Sequence, residues 1–269
     1  MDDLIYELRD VHFSYLGKYP ALCGIDMRIR QGEKLAVIGA NGCGKSTLLQ
    51  ILDGLIFPDK GSAKAFGREL REGVFSDEEF SRHFRSKVGL VFQNPDVQLF
   101  CPTVKEDILF GPLQLGEEKE EIKRRFDSLV NILDINNLIN RPPHQLSVGE
   151  KRRVSIASTL AIEPQIIILD EPTAGLDPLT SRRIIDIIIQ ANISGKTIIT
   201  ATQDLHIVEE VSDIVYVLSR DKKIARAGAS CEVLKDTKFL EEHNLVHIHR
   251  HRHKDRVHMH PHDHIEHHL

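Results

Sequence analysis

The chain has 269 residues, a mass of 30.5 kDa, 41% hydrophobic and 28% charged residues, and a formal net charge of -5. This length buries a core without staples, and Cys23, Cys43, Cys101 and Cys231 form no CxxC pair and read as free thiols. No apolar run is long enough to cross a membrane, the acidic start Met1-Asp2-Asp3 lacks the apolar segment of a secretory signal, and the negative charge argues against wholesale electrostatic binding of nucleic acid.

Along the chain, short apolar runs without alternation predict strands buried on both faces, as in a parallel sheet covered by helices. They are Leu35–Ile38, Val88–Phe92, Ile166–Leu169, Ile198–Ala201 and Ile214–Leu218. After the first comes Leu48, Leu49, Ile51 and Leu52, an apolar helix. Between the second and third, Ile122, Phe126, Leu129, Val130 and Leu133 lie on one face of an amphipathic helix in a charged segment starting at Glu117. The surrounding stretch, about 95–160, carries few strand signals and reads as a helical subdomain inserted into one α/β domain of residues 1–242. From His243 onward the apolar pattern stops, which predicts a flexible tail over 243–269.

Two motifs carry chemistry. Gly39-Ala40-Asn41-Gly42-Cys43-Gly44-Lys45-Ser46-Thr47 fits G-x-x-x-x-G-K-[ST] between a predicted strand and a helix. Glycines let successive backbone N–H groups face one anion, and the helix N-terminus adds positive potential. Lys45 would reach the β- and γ-phosphates and Ser46 would ligate Mg²⁺. The third strand ends in Asp170-Glu171, at the strand end where open α/β sheets bind ligands. Asp170 would hold Mg²⁺ and Glu171 would polarise the attacking water. A third segment, Ser147-x-x-Glu150, reads by itself as a helix capping box.

With these residues in place, the chain resembles the ATP-binding-cassette (ABC) ATPases over nearly all of residues 4–242. Tyr15 falls where the family stacks an aromatic ring on adenine, and Gln93 at the Q-loop glutamine that contacts Mg²⁺ and the coupling interface. Leu146-Ser147-Val148-Gly149-Glu150 is similar to the LSGGQ signature, Ala174-Gly175-Leu176-Asp177 to the D-loop, and Thr202-Gln203-Asp204 to the switch motif. The resemblance implies a P-loop NTPase core sheet with an inserted helical subdomain. It implies ATP and Mg²⁺, with Mg²⁺ at Ser46, Gln93 and Asp170 and catalysis at Glu171 and Gln203. It also implies a head-to-tail dimer, homo- or heteromeric, in which Ser147, Gly149, Glu150 and Asp177 contact ATP bound to the other subunit. Three positions depart from the family pattern: Val148 for glycine, Glu150 for glutamine, and Gln203 for the switch histidine. Gln203 can donate a hydrogen bond but carries neither proton nor positive charge, so slow hydrolysis is expected of the isolated subunit.

Gln93–Phe100 and Pro172–Pro178 resemble the ATPases of energy-coupling-factor importers, which take up vitamins or transition metals, and within them the cobalt/nickel (CbiO/NikO-like) type. That resemblance implies a coupling transmembrane protein and a substrate-binding membrane subunit as partners, at the cytoplasmic face of the membrane. Ten of the 15 histidines lie between His247 and His268. His247, His249, His251 and His253 alternate, as do His258, His260, His262 and His264. Neutral imidazoles suit Ni²⁺, Co²⁺, Zn²⁺ and Cu²⁺, and the pattern reads as many interchangeable sites for buffering or delivery; a functionless polar tail or a purification artefact are the bland readings. His12, His83, His144 and His206 read as structural or surface residues. The resulting expectation is an ATP-hydrolysing importer subunit energising uptake of cobalt or nickel. The alternatives are the same motor serving a vitamin, or a soluble metal-storage protein with a weak ATPase.

Overall fold

The computed structural model describes residues 3–253 and 256–262. The first half of the chain forms β1 (Leu4–Tyr15), β2 (Tyr19–Arg30), β3 (Lys34–Ile38), α1 (Lys45–Leu52), β4 (Lys60–Ala65), β5 (Arg68–Glu69), α2 (Glu78–Lys87), β6 (Val88–Val91), α3 (Val104–Leu115) and α4 (Lys119–Ile132). The second half forms α5 (Val148–Ala161), β7 (Ile166–Asp170), α6 (Pro178–Ile193), β8 (Thr197–Thr202), α7 (Leu205–Val211), β9 (Ile214–Leu218), β10 (Ile224–Ala229), α8 (Ser230–Val233), α9 (Thr237–Glu242), β11 (His247–His253) and β12 (Arg256–His262).

All five predicted apolar runs become strands of one six-stranded sheet, ordered β10-β9-β3-β8-β7-β6. The pairs from β9 to β6 are parallel, and helices cover them, so Ile166–Asp170 is buried along its whole length. The second strand stops at Val91, one residue short of the predicted Phe92. β10 adds an antiparallel edge that its half-buried sequence did not signal.

A second sheet, β2-β1-β4-β5, is antiparallel and packs its apolar face into the same core cluster as α1 and α2. Its long strands were not read from the sequence because the pairing slips. Register shifts between Leu8 and Val11, and a left-handed Asp10 (φ 48°), break the period-two alternation of β1. Between β6 and β7 the chain is helical. Leu129 and Val130 of α4 pack with Val104 and Ile108 of α3 and Val154 and Ala157 of α5. The amphipathic helix predicted from Ile122 to Leu133 is α4.

The packed body runs past the expected end at residue 242. Leu245 and Val246 are buried beside Leu240, Val233 and Val208. Beyond them, the segment expected to be flexible contains instead two antiparallel strands, β11 and β12. Alternation every two residues, read as absence of a core pattern, is also the period of a strand. His264 lies outside the described residues.

If Leu245 belongs to the core, Leu245→Ala lowers the unfolding free energy by about 2–5 kcal/mol. Removal of everything after Val246 leaves the melting temperature unchanged. Thermal unfolding of the two variants checks both outcomes.

Candidate nucleotide site

β3, β7 and β8 are neighbours in the parallel sheet, so their carboxyl ends open on one side. The loop after β3 carries Gly39–Gly44, β7 ends at Asp170, and Thr202 closes β8. This is where ligands sit in an open α/β sheet. A cavity of about 320 Å³ lies there, lined by Tyr15, Asn41, Lys45, Ser46, Gln93, Asp170 and Glu171, among others. A larger cavity of about 590 Å³ lies between α4, α5 and α6, lined by Leu129, Ile132, Leu133 and Ile187, and none of these candidate residues lines it.

Backbone geometry explains the loop's composition. Gly44 caps α1 with φ 109°, and a Cβ there would come within 2.3 Å of the Ala21 carbonyl oxygen. No side chain fits so close to β2. Cys43 is buried in the core beneath the loop, so its thiol faces away from ligand and only its backbone can serve one. Lys45 is buried, its Nζ donating to the Gly39 carbonyl at 2.8 Å and lying 3.7 Å from Glu171 Oε1.

Asp170 and Glu171 are each only 6% exposed. Burial pushes both carboxyls above their ordinary values, opposed by the Lys45 ammonium and by hydrogen bonds from Ser46 to Asp170 and from Thr202 to Glu171. Glu171 Oε2 accepts from Thr202 Oγ1 at 3.1 Å and from the Gln203 N–H at 3.4 Å. Glu171 also has a left-handed backbone (φ 47°), a conformation that costs about 1–3 kcal/mol and concentrates at functional sites. Asp170 Oδ1 is buried without a hydrogen-bond partner. An orphaned carboxylate oxygen beside a serine hydroxyl and a glutamine is a hard-oxygen set that fits Mg²⁺.

Tyr15 sits at the rim, its hydroxyl 3.1 Å from Thr47 Oγ1. Gln203 meets Glu171 through its backbone N–H. Ser147, Gly149, Glu150 and Asp177 are not among the residues lining this cavity. Ser147 and Glu150 form a complete capping box at the start of α5: the Glu150 carboxylate accepts from the Ser147 N–H at 2.8 Å, and Ser147 Oγ accepts from the Glu150 N–H at 3.3 Å. The charge of Glu150 is therefore used locally, while Val148 is exposed. Asp177 caps α6, accepting from the Thr180 N–H and hydroxyl. Leu176 of the D-loop lies under Gly149, where a Cβ would meet its Cδ2 at 3.6 Å.

Sequence reasoning missed the ties between the Q-loop and α5. Arg152 is buried and its guanidinium donates to the Phe92 and Gln93 carbonyls. Gln98 accepts from the Phe92 N–H and donates to the Ser155 carbonyl at 2.9 Å and Thr159 Oγ1 at 3.0 Å. Lys151 pairs with Asp96 at 2.6 Å. An arginine within the run Glu150–Val154 reads as a solvated helix face, so nothing in the pattern marks Arg152 as buried.

Comparison with known proteins decides the family. The family model described as ABC transporter matches residues 22–174. The chain is 46% identical over 244 residues to the nickel import ATP-binding protein NikO of Rhodobacter capsulatus, covering 90% of this chain and 95% of that one. The chain belongs to the ABC transporter ATPases. It is also 42% identical over 241 residues to the energy-coupling factor transporter ATP-binding protein EcfA of Methanocaldococcus jannaschii, covering 90% and 85%. Among solved structures it matches cbiO1 from Clostridium perfringens, described as part of the ABC transporter complex cbiONQ, with TM-score 0.74, 35% identity and coverage of 91% and 96%. It also matches the dimeric, ADP- and Pi-bound cassette MJ0796, with TM-score 0.75, 27% identity and coverage of 84% and 99%. NikO, EcfA and cbiO1 agree with the energy-coupling-factor, cobalt/nickel-type resemblance.

Arg152→Ala removes charge-assisted hydrogen bonds, each of which contributes about 1.5–3 kcal/mol. The variant melts at a lower temperature, and ATP hydrolysis falls more than ATP affinity, because the Q-loop is released while Lys45 stays in place. Melting curves, nucleotide titration and steady-state hydrolysis on one preparation check this.

Proposed function

We propose that this chain is the ATP-hydrolysing subunit of an importer for nickel or cobalt ions. Its ABC membership makes it an ATPase coupled to transport, using ATP with Mg²⁺. The observation that carries the metal cargo is the 46% identity to NikO over nine-tenths of the chain. A vitamin-type cargo is the second reading, favoured by the EcfA relative.

In this reading the loop amides from Asn41 to Ser46 and the Lys45 ammonium hold the β- and γ-phosphates, and Tyr15 supports the adenine. Ser46, Asp170 and Gln93 would hold Mg²⁺, which neutralises phosphate charge when bound. Glu171, fixed by Thr202 and Gln203, orients the attacking water. The N-terminus of α5, with Ser147 and Gly149, is an anion site that serves nucleotide on a second subunit, with Asp177 beside it. Because one chain carries both the phosphate loop and the signature helix, two copies of it would build two complete sites.

Among the described residues no helix is long and apolar enough to cross a membrane. In this reading the subunit docks on membrane partners at the cytoplasmic face. Val97 and Phe100, 65% and 67% exposed, follow Gln93 in the chain, and the Phe100 ring packs edge-on against the exposed Phe110 with ring centroids 5.0 Å apart. Grouped exposed apolar side chains of this kind are typical of interaction surfaces.

Glu171→Gln keeps the shape of the site and removes the water-polarising charge. ATP hydrolysis falls by about 10²–10⁴-fold, and ATP accumulates a dimer in size-exclusion chromatography with light scattering. If the variant stays monomeric with ATP, the trans arrangement is wrong. Purification of the subunit from solubilised membranes then reads the cargo. A metal-recognising membrane subunit supports metal import, and a vitamin-binding one selects the second reading.

A further inference from the structure

β9 lies directly beside β3 in the parallel sheet, with Val217 opposite Ile38. Its carboxyl end therefore emerges on the same side as the phosphate loop that follows β3. The two segments touch closely, since a Cβ on Gly39 would come within 2.7 Å of the Leu218 carbonyl oxygen at the end of β9. The turn that follows, residues 219–223, leads into β10 and brings Lys222 against the phosphate loop, where its ammonium donates to the Gly42 carbonyl.

The sequence Arg220-Asp221-Lys222-Lys223 reads as an ordinary charged turn, and no motif marks it. The structure sets Lys222 apart. Its backbone is left-handed (φ 65°), a conformation that disfavours residues with a side chain and concentrates at functional sites. That conformation is held from two sides. The Lys222 N–H donates to the Ser219 carbonyl at 3.0 Å, and the Lys222 carbonyl accepts from the Cys23 N–H of β2 at 2.8 Å. The side chain is half-buried and lines the same cavity as Lys45, Asp170 and Glu171.

Two ammoniums thus rest on carbonyls of one loop, Lys45 on Gly39 and Lys222 on Gly42. An ammonium has three donors. Among the described residues Lys222 makes no ion pair and Gly42 is its one side-chain acceptor, so two donors remain for an anion in the cavity. Cations that line a cleft with low-dielectric walls act strongly on a multiply charged ligand. We propose that Lys222 is a second nucleotide-binding cation, which anchors the phosphate loop at Gly42 and turns its remaining donors to the triphosphate of ATP. Lys45 serves the phosphates from within the loop, and Lys222 serves them from the β9–β10 turn. The inference rests on the reading of this cavity as the nucleotide site, and the test separates the two.

The test measures the affinity of the full chain for ATP by isothermal titration calorimetry, in the absence of Mg²⁺ so that no turnover occurs. Lys222→Gly suits the left-handed backbone, so this variant keeps the parental melting temperature while its ATP affinity falls roughly tenfold. Lys222→Arg keeps the charge and recovers most of that affinity. Lys45→Ala is the control for the site itself. If Lys45→Ala weakens ATP binding and Lys222→Gly does not, the proposal is overturned. Equal loss in the glycine and arginine variants overturns it as well, because the positive charge is then not what acts. If Lys45→Ala also binds ATP as the parent does, the cavity is not the nucleotide site and both readings fall.

Discussion

Two carboxylates and one ammonium, all buried, govern the arrangement of this protein. Lys45, Asp170 and Glu171 meet at the carboxyl ends of β3 and β7 with few direct partners. Taking such groups out of water is costly, and a single ion pair at 3.7 Å offsets only part of that cost. The sheet has to hold them there. Parallel strands buried on both faces fix β3 beside β8 and β8 beside β7, and Thr202 on β8 reaches across to Glu171. The same framework holds the unpartnered Asp170 oxygen and the left-handed Glu171 backbone in place. Mg²⁺ and phosphate would complete it.

The same constraint reaches outward through the helical segment. The Q-loop leaves β6 beside the site, and Lys151, Arg152 and Gln98 tie it to α5 from Lys151 to Thr159. That helix begins with the signature residues, whose capping box is closed within the chain. A displacement of Gln93 by ligand or by a membrane partner would therefore be carried to the signature surface through rigid polar contacts. Phe100, exposed on the same segment, extends this linkage to Phe110 of α3.

Much of this was legible in the sequence, for definite physical reasons. Strands buried on both faces read as unbroken apolar runs, so the central sheet could be traced. The phosphate loop needs glycine at Gly44 because β2 passes so close, and such needs leave a motif. The acidic pair was visible because it ends an apolar run. What escaped depends on tertiary contacts. β1 carries bulges that spoil its alternation. Arg152 lies in a charged run and is buried only because the Q-loop folds over it. The boundary near residue 243 moved because Leu245 and Val246 are isolated apolar residues that find the core through α9. The alternating histidines were visible as a pattern, but that this period belongs to the strands β11 and β12 shows only in their pairing.

The central claim is that each working site combines the phosphate loop of one subunit with the signature helix of another. Lys45→Ala removes the ammonium proposed to bind phosphate, and Gly149→Asp places a negative charge at the proposed anion-binding end of α5, where a Cβ meets Leu176 Cδ2 only at 3.6 Å. Each variant alone is inactive in ATP hydrolysis. Mixed, they form dimers with one intact composite site, and the account predicts that a fraction of the parental activity returns. A mixture no more active than either variant alone would contradict it.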